Sequence, residues 1–307
     1  IHGKVKKEIV LTLEDLKKYP SETRTYFIEC PANGSPEWRA PQFNNLQFMK
    51  GLMSAAQWTG VMLKTILEDL GLEKDAVWML AEGSDNASNP RSIPVDKAMD
   101  DIMVVWGQNG EALRPEQGYP VRLVVPGWEG NLNTKWLKRL EFSDKPWHSK
   151  EETSKYTMLQ KSGKAIRYFW VNEVNSVITS PCPEKPWTHL KKGEMVEIEG
   201  LAWSGHGTIK GVDISFDGGD NWVEAKLKGL VLPKSWTRFS YIIKWDGKPM
   251  ILASRSYDDF GNIQPTIDEE TSAVGVESVY HRNAIVTWEI TSKGECNNVQ
   301  IRKHKKA

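Results

Sequence analysis

TIKGVDISFDGGDNWVEAKL, residues 208–227, alternates apolar and polar side chains on either side of an Asp-Gly-Gly turn. A period of two with a tight Gly-rich reversal is the pattern of paired β-strands, each with one buried face. The same style extends both ways from it: EMVEIEGLAWSG, WTRFSYIIKWDG, MILASRSYDDFGN and IVTWEITSKG are short alternating runs separated by Gly, Asp, Asn and Pro. Such spacing predicts an antiparallel β-sandwich of immunoglobulin type from about residue 176 to 307, with no long helix in it.

Upstream the pattern is different. LTLEDLKKYP (11–20) predicts a helix capped by Thr12 and ended by Pro20. SAAQWTGVMLKTILEDLGL (54–72) predicts a helix with Leu63, Ile66, Leu67 and Leu70 on one face and a stop at Gly71. IPVDKAMD (93–100) predicts a short helix. TRTYFIEC (23–30), DAVWMLAEG (75–83) and TKWLKRLEF (134–142) predict strands, and Asn109-Gly110 closes a hairpin in DIMVVWGQNGEAL. Residues 143–175 are polar and irregular and predict an excursion. The fold class expected is therefore α+β: a mixed domain over 1–175, then a β-sandwich over 176–307.

Composition narrows the function. Forty Lys and Arg balance forty Asp and Glu, so no net charge asks for nucleic acid or an anionic membrane as partner. No apolar run is long enough for a membrane span. Three distant cysteines, Cys30, Cys182 and Cys296, do not make a disulfide framework, and no C-x-x-C-H motif provides for a c-type haem in this chain. On local sequence alone Cys30 reads as a small buried hydrophobe at a strand end.

Longer stretches resemble a known family. IECPANG (28–34), EGSD (82–85), SIPVDKAMDD (92–101), NGEALRPEQGYPVRLVVPGWEG (109–130), TKWLKRLEF (134–142), KPWHSKEETSKYT (145–157), GLAWSGHGTIKGVDISFDGGDNW (200–222) and DDFGNIQP (258–265) follow one another collinearly. Together they resemble the sulfite oxidase family of molybdenum enzymes, and within it the sulfane dehydrogenase branch of bacterial thiosulfate oxidation. The resemblance implies a molybdopterin domain followed by an immunoglobulin-like domain that makes a homodimer. It implies molybdenum bound by one pyranopterin and by the thiolate of Cys30. Arg122 and Lys135 would meet the phosphate or pterin, with Asn133 and Thr134 beside them. Asp85 would contact the pterin ring, and so would Gln117, at a position where sulfite oxidases carry His. Tyr156 matches the family's active-site phenol.

Two departures bear on substrate. Ser35, after Gly34, stands where sulfite oxidases carry a substrate arginine, and Phe48 stands at a pocket Trp position. His206 is the nearest candidate for a second missing arginine, and Arg39 and Glu37 are further candidates for lining the pocket. Fewer fixed cations favour a sulfane sulfur attached to a carrier-protein cysteine over free sulfite. The resemblance implies a c-type cytochrome as electron acceptor and a periplasmic location. It also implies a segment before Ile1 that adds pterin contacts. Two rivals remain: a sulfite dehydrogenase on the same cofactor, and a cofactor-free binding or assembly module on the same fold.

Overall fold

The computed structural model describes residues 1–85 and 89–302. By internal contacts the chain divides into two compact units. The first comprises residues 1–28, 55–157 and 167–170; the second comprises 29–54, 158–166 and 171–307.

The first unit holds two sheets. One is built from β1 (His2–Gly3), β4 (Trp78–Gly83), β5 (Arg91–Pro94) and β9 (Leu137–Ser143), in the order β1-β9-β4-β5. The other runs β2 (Glu22–Glu29), β3 (Met53–Met62), β6 (Met103–Gln108), β7 (Glu111–Ala112), with β8 (Arg122–Val124) also paired to β6. Helices α1 (Leu13–Leu16), α3 (Leu63–Leu70), α4 (Val95–Ala98) and α5 (Lys150–Ser154) accompany them; α2 (Leu46–Lys50) belongs to the second unit.

Period-two alternation gives the second sheet two buried faces. Val61, Val104 and Leu123 join the apolar face of α3 and the side chains Met79, Ala81, Ile93 and Phe142 of the other sheet. Trp58, Met62, Met103, Val105 and Val124 form a separate cluster on the opposite face. Arg122 shares the parity of Val124, and its guanidinium lies over the Trp58 ring at 5.1 Å. The Asn109-Gly110 hairpin is present, with both residues at positive φ (53° and 83°), as a type I′ turn demands.

The helix expected over 54–72 begins only at Leu63; residues 53–62 are strand β3. Helix spacing at Leu63–Leu70 is real, but SAAQWTGVM alternates and pairs with β6. Gly60 lets the two strands approach: a Cβ there would lie 2.2 Å from the Val104 carbonyl oxygen. The helix expected over 93–100 is likewise shorter, since Arg91–Pro94 pairs with β4 and only Val95–Ala98 is helical.

The second unit contains a small hairpin, β10 (Met158–Leu159) and β11 (Ala165–Ile166), and two antiparallel sheets. One sheet runs β12 (Asn175–Ser180), β13 (Met195–Trp203), β17 (Thr237–Lys244), β16 (Lys226–Lys228). The other runs β15 (Val223–Glu224), β14 (Ile209–Ser215), β18 (Met250–Asp258), β19 (Thr287–Ile290), β20 (Cys296–Val299). This is the expected immunoglobulin-like sandwich. Ile198, Trp203, Phe239, Val212, Ile214, Leu252 and Trp288 are fully buried in it. Polar bonds link the sheets: the Trp288 indole donates to the Ile178 carbonyl at 3.0 Å, and the Ser176 and Ser254 hydroxyls meet at 2.9 Å. A helix that the sequence reading did not anticipate, α6 (Ile267–Val274), is capped by Thr266 and Glu269 in a reciprocal capping box.

Candidate functional site

In the first unit six of the expected cofactor residues lie close together, the buried cation Arg122 among them. Arg122 is 5% exposed. It donates to the backbone oxygens of Gln117 and Asn133, each at 3.0 Å. Among the described residues its Nε has no hydrogen-bond partner and no carboxylate pairs with it. Burial alone lowers its pKa, to about 10. A guanidinium held this deep without a counter-charge is costly unless an anion completes it.

The neighbours are arranged by backbone geometry. The Asn133 side chain accepts from the Val125 amide at 2.8 Å and donates to the Glu129 carbonyl at 3.1 Å, which fixes the turn between β8 and β9. The Thr134 hydroxyl, next in the chain, is buried with no partner. Lys135 reaches the Glu116 carbonyl at 3.0 Å and lies over the Trp136 ring at 4.4 Å. Gly118 has φ +106°, and a Cβ there would lie 3.0 Å from Lys135 Cβ and 3.2 Å from Arg122 Cβ, so only glycine lets the backbone come this close. Gly83 plays the same part between the Lys135 backbone oxygen and the Asp85 carboxylate. Gln117, Arg122, Asn133, Thr134, Lys135 and Asp85 therefore share one place, with two buried polar atoms, Arg122 Nε and the Thr134 hydroxyl, that lack a partner among the described residues, and two glycines that let the backbone pack closely.

Tyr156 lies on another element of the same unit. Its amide donates to the Glu151 carbonyl at 3.0 Å at the end of α5, and the Arg91 guanidinium stands 4.7 Å from its ring centroid. Arg91 was not singled out from the sequence. Its carboxylate neighbours, Glu129 and Glu152, come from distant segments, so no local motif marks it.

Cys30 and His206 fall in the second unit. Cys30 follows the end of β2, and its amide donates to the Leu52 carbonyl at 2.9 Å. Its carbonyl accepts from the Asn33 amide, also at 2.9 Å, so the chain turns at once after the thiol. Glu29 braces that turn: its two carboxylate oxygens accept from the Asn33 side chain and the Trp203 indole, each at 2.8 Å. Burial pushes the Glu29 carboxyl up. Glu29, Cys30, Asn33, Asn172, Glu173 and Arg282 bound a small cavity. The buried Asn172 amide nitrogen has no partner there. His206 Nε2 meets Glu173 Oε2 at 3.0 Å, and that carboxylate raises the imidazole pKa.

Gly34 is left-handed (φ +87°) and leads into a single 3-10 turn at Ser35–Glu37. Glu37 is engaged on both oxygens, by the Gln42 amide and the Asn298 side chain at 3.0 Å each. Arg39 is exposed and paired with Glu277 at 2.5 Å. Phe48 is 68% exposed and meets Phe43 at 5.5 Å between ring centroids.

The unpartnered Arg122 Nε and Thr134 hydroxyl, beside the Lys135 ammonium, fit an anionic, hydrogen-bonding group of the molybdopterin kind. A thiolate at a rigid strand end suits a soft metal bond.

Comparison with known proteins agrees. A family model described as an oxidoreductase molybdopterin binding domain matches residues 1–151, and one described as a Mo-co oxidoreductase dimerisation domain matches 167–288. Mitochondrial sulfite oxidase of Rattus norvegicus is 30% identical, over 83% of this chain and 50% of that protein. The NADH nitrate reductase of Ulva prolifera is 25% identical, over 99% of this chain and 37% of that protein. The chain thus spans half or less of the length of these curated relatives. The crystal structure of the sulfane dehydrogenase SoxCD from Paracoccus pantotrophus matches with a TM-score of 0.94 and 47% identity, over 98% of this chain and 77% of that chain.

Proposed function

The chain belongs to the sulfite oxidase family of molybdopterin oxidoreductases, and from that premise we propose that it oxidises sulfane sulfur carried on a protein cysteine and passes the electrons to a c-type cytochrome. The observation that carries the reading is Arg122: a buried guanidinium whose Nε has no partner and which pairs with no carboxylate among the described residues, in a fold whose solved relative at 47% identity is a sulfane dehydrogenase.

When bound, the molybdenum–pyranopterin group supplies the two-electron couple and an exchangeable oxygen position. The protein's part is to anchor and orient. The Cys30 thiolate would be the metal ligand, held by its amide bond to Leu52 and by the turn that Glu29 and Asn33 lock. Arg122 and Lys135 would receive the phosphate, the Thr134 hydroxyl would donate beside them, and Asp85, Gln117 and Asn133 would hold the pterin. Tyr156 would present its hydroxyl to the substrate and would relay a proton. His206, kept protonated by Glu173 to higher pH than an ordinary histidine, supplies a cation to the substrate side.

The second reading, oxidation of free sulfite, is favoured by the 30% identity to a sulfite oxidase. Ser35 argues against it, because it supplies no cation where that family holds one. Turnover of carrier-bound sulfane sulfur beside turnover of free sulfite separates the two. Preference for the carrier-bound substrate supports the proposal; preference for sulfite replaces it with the second reading. A homodimer through the sandwich domain and a periplasmic location complete the proposal.

A further inference from the structure

We propose that Arg91 is the positioning residue for Tyr156, holding the face of the phenol ring so that its hydroxyl is aimed. The inference rests on the reading of Tyr156 as the active-site phenol and adds what fixes it.

Arg91 opens β5 and is 1% exposed. Glu129 Oε2 lies 3.5 Å from its NH2 and Glu152 Oε1 lies 3.8 Å from its Nε, so one cation faces two buried carboxylates. Such a cluster is weak grounds for stability, since well-packed apolar side chains serve as well or better. Nor is Arg91 needed to satisfy Glu152. That carboxylate already accepts from the Ser92 amide and hydroxyl and from the Ser149 amide, the last as half of the capping box of α5. Among the described residues the Arg91 Nε has no hydrogen-bond partner. One amino group of the guanidinium donates to Asn131 Oδ1 at 2.5 Å, which anchors the cation, and its Cζ lies 4.7 Å from the Tyr156 ring centroid.

Two attachments of Tyr156, one of the backbone and one of the ring, are complementary. Its backbone is tied to α5 by the bond to the Glu151 carbonyl, and α5 is tied through Glu152 to the strand that carries Arg91. Its ring is held by the planar face of Arg91. Lysine could supply the charge without the flat surface. A phenol misplaced by about 1 Å from a reacting atom loses on the order of a hundredfold in rate.

The test crosses Arg91→Lys with Tyr156→Phe, which keeps the ring and removes the hydroxyl. In the Tyr156 background Arg91→Lys should lower kcat by about tenfold to a hundredfold with KM unchanged. In the Phe background it should change kcat by less than about twofold, because there is no hydroxyl left to aim. Carbon-13 tyrosine labelling gives a readout independent of turnover. The ring resonance of Tyr156, assigned by its loss in Tyr156→Phe, should shift and broaden in Arg91→Lys and stay unchanged in Thr266→Ala, a control far along the chain. Should Arg91→Lys not fold, Arg91→Met with Glu129→Gln removes one charge of each sign and carries the same expectation.

Equal slowing in both backgrounds, or an unmoved Tyr156 resonance, overturns the proposal. If Tyr156→Phe alone leaves turnover intact, the assignment of Tyr156 itself fails and the inference falls with it. The two failures are thus told apart.

Discussion

Arg122 is where a single side chain bears most on function. Its two backbone bonds and its contact with Trp58 fix the guanidinium, while Nε has no partner among the described residues. Replacing it with Met keeps the stem and discards the charge. Cofactor binding to the apoprotein should then weaken by about tenfold to a hundredfold, the worth of a hydrogen bond to a charged group; isothermal titration with extracted cofactor reads it, and unchanged affinity would remove Arg122 from the phosphate site. Gly118→Ala should weaken the same binding, because the new Cβ meets Lys135 at 3.0 Å in a backbone that only glycine adopts freely. His206 carries the pH dependence. Its folded pKa lies above the unfolded value because Glu173 holds the proton. The stability this pair contributes is fully present below about pH 6.5 and is lost as pH rises through the raised folded value. Glu173→Gln should lower the His206 pKa in a nitrogen-15 NMR titration; an unmoved midpoint would show that Glu173 is not the cause.

At the scale of elements, caps and turns decide which expectations hold. Removing the hydroxyl in Thr266→Ala should cost about 1 kcal/mol by undoing the cap of α6, measurable by denaturant unfolding; a neutral variant would mean the cap bond is not formed in solution. The sandwich strands and the Asn109-Gly110 hairpin were legible because their period and turn chemistry are local. Residues 54–62 were not: the apolar spacing of Leu63–Leu70 masked an alternating strand beside it, and the pairing with β6 that settles the matter is non-local. Helix α6 was missed although Thr266-x-x-Glu269 signals its start, since eight residues amid strands give little periodicity to read. Collinear motifs pointed to Cys30, Arg122, Lys135 and Tyr156 as site residues. Glu29, Asn172 and Arg91 were not foreseen, because each matters through a partner far away in sequence.

For the whole molecule, balanced charge and a sequence pI near 7.2 leave little long-range steering, so encounter with an electron acceptor should depend only weakly on ionic strength. The match of residues 167–288 to a dimerisation domain leads to a further expectation, that sedimentation yields twice the 34.9 kDa chain mass. A monomer at micromolar concentration would contradict it. The central claim is that this chain is a molybdenum enzyme anchored through Cys30. Elemental analysis of protein purified from its native source, beside the Cys30→Ser variant, tests it most directly. The account predicts close to one molybdenum per chain in the native protein, and in the variant a changed metal spectrum with loss of turnover; only trace molybdenum in the native protein, or full activity in the variant, would contradict it.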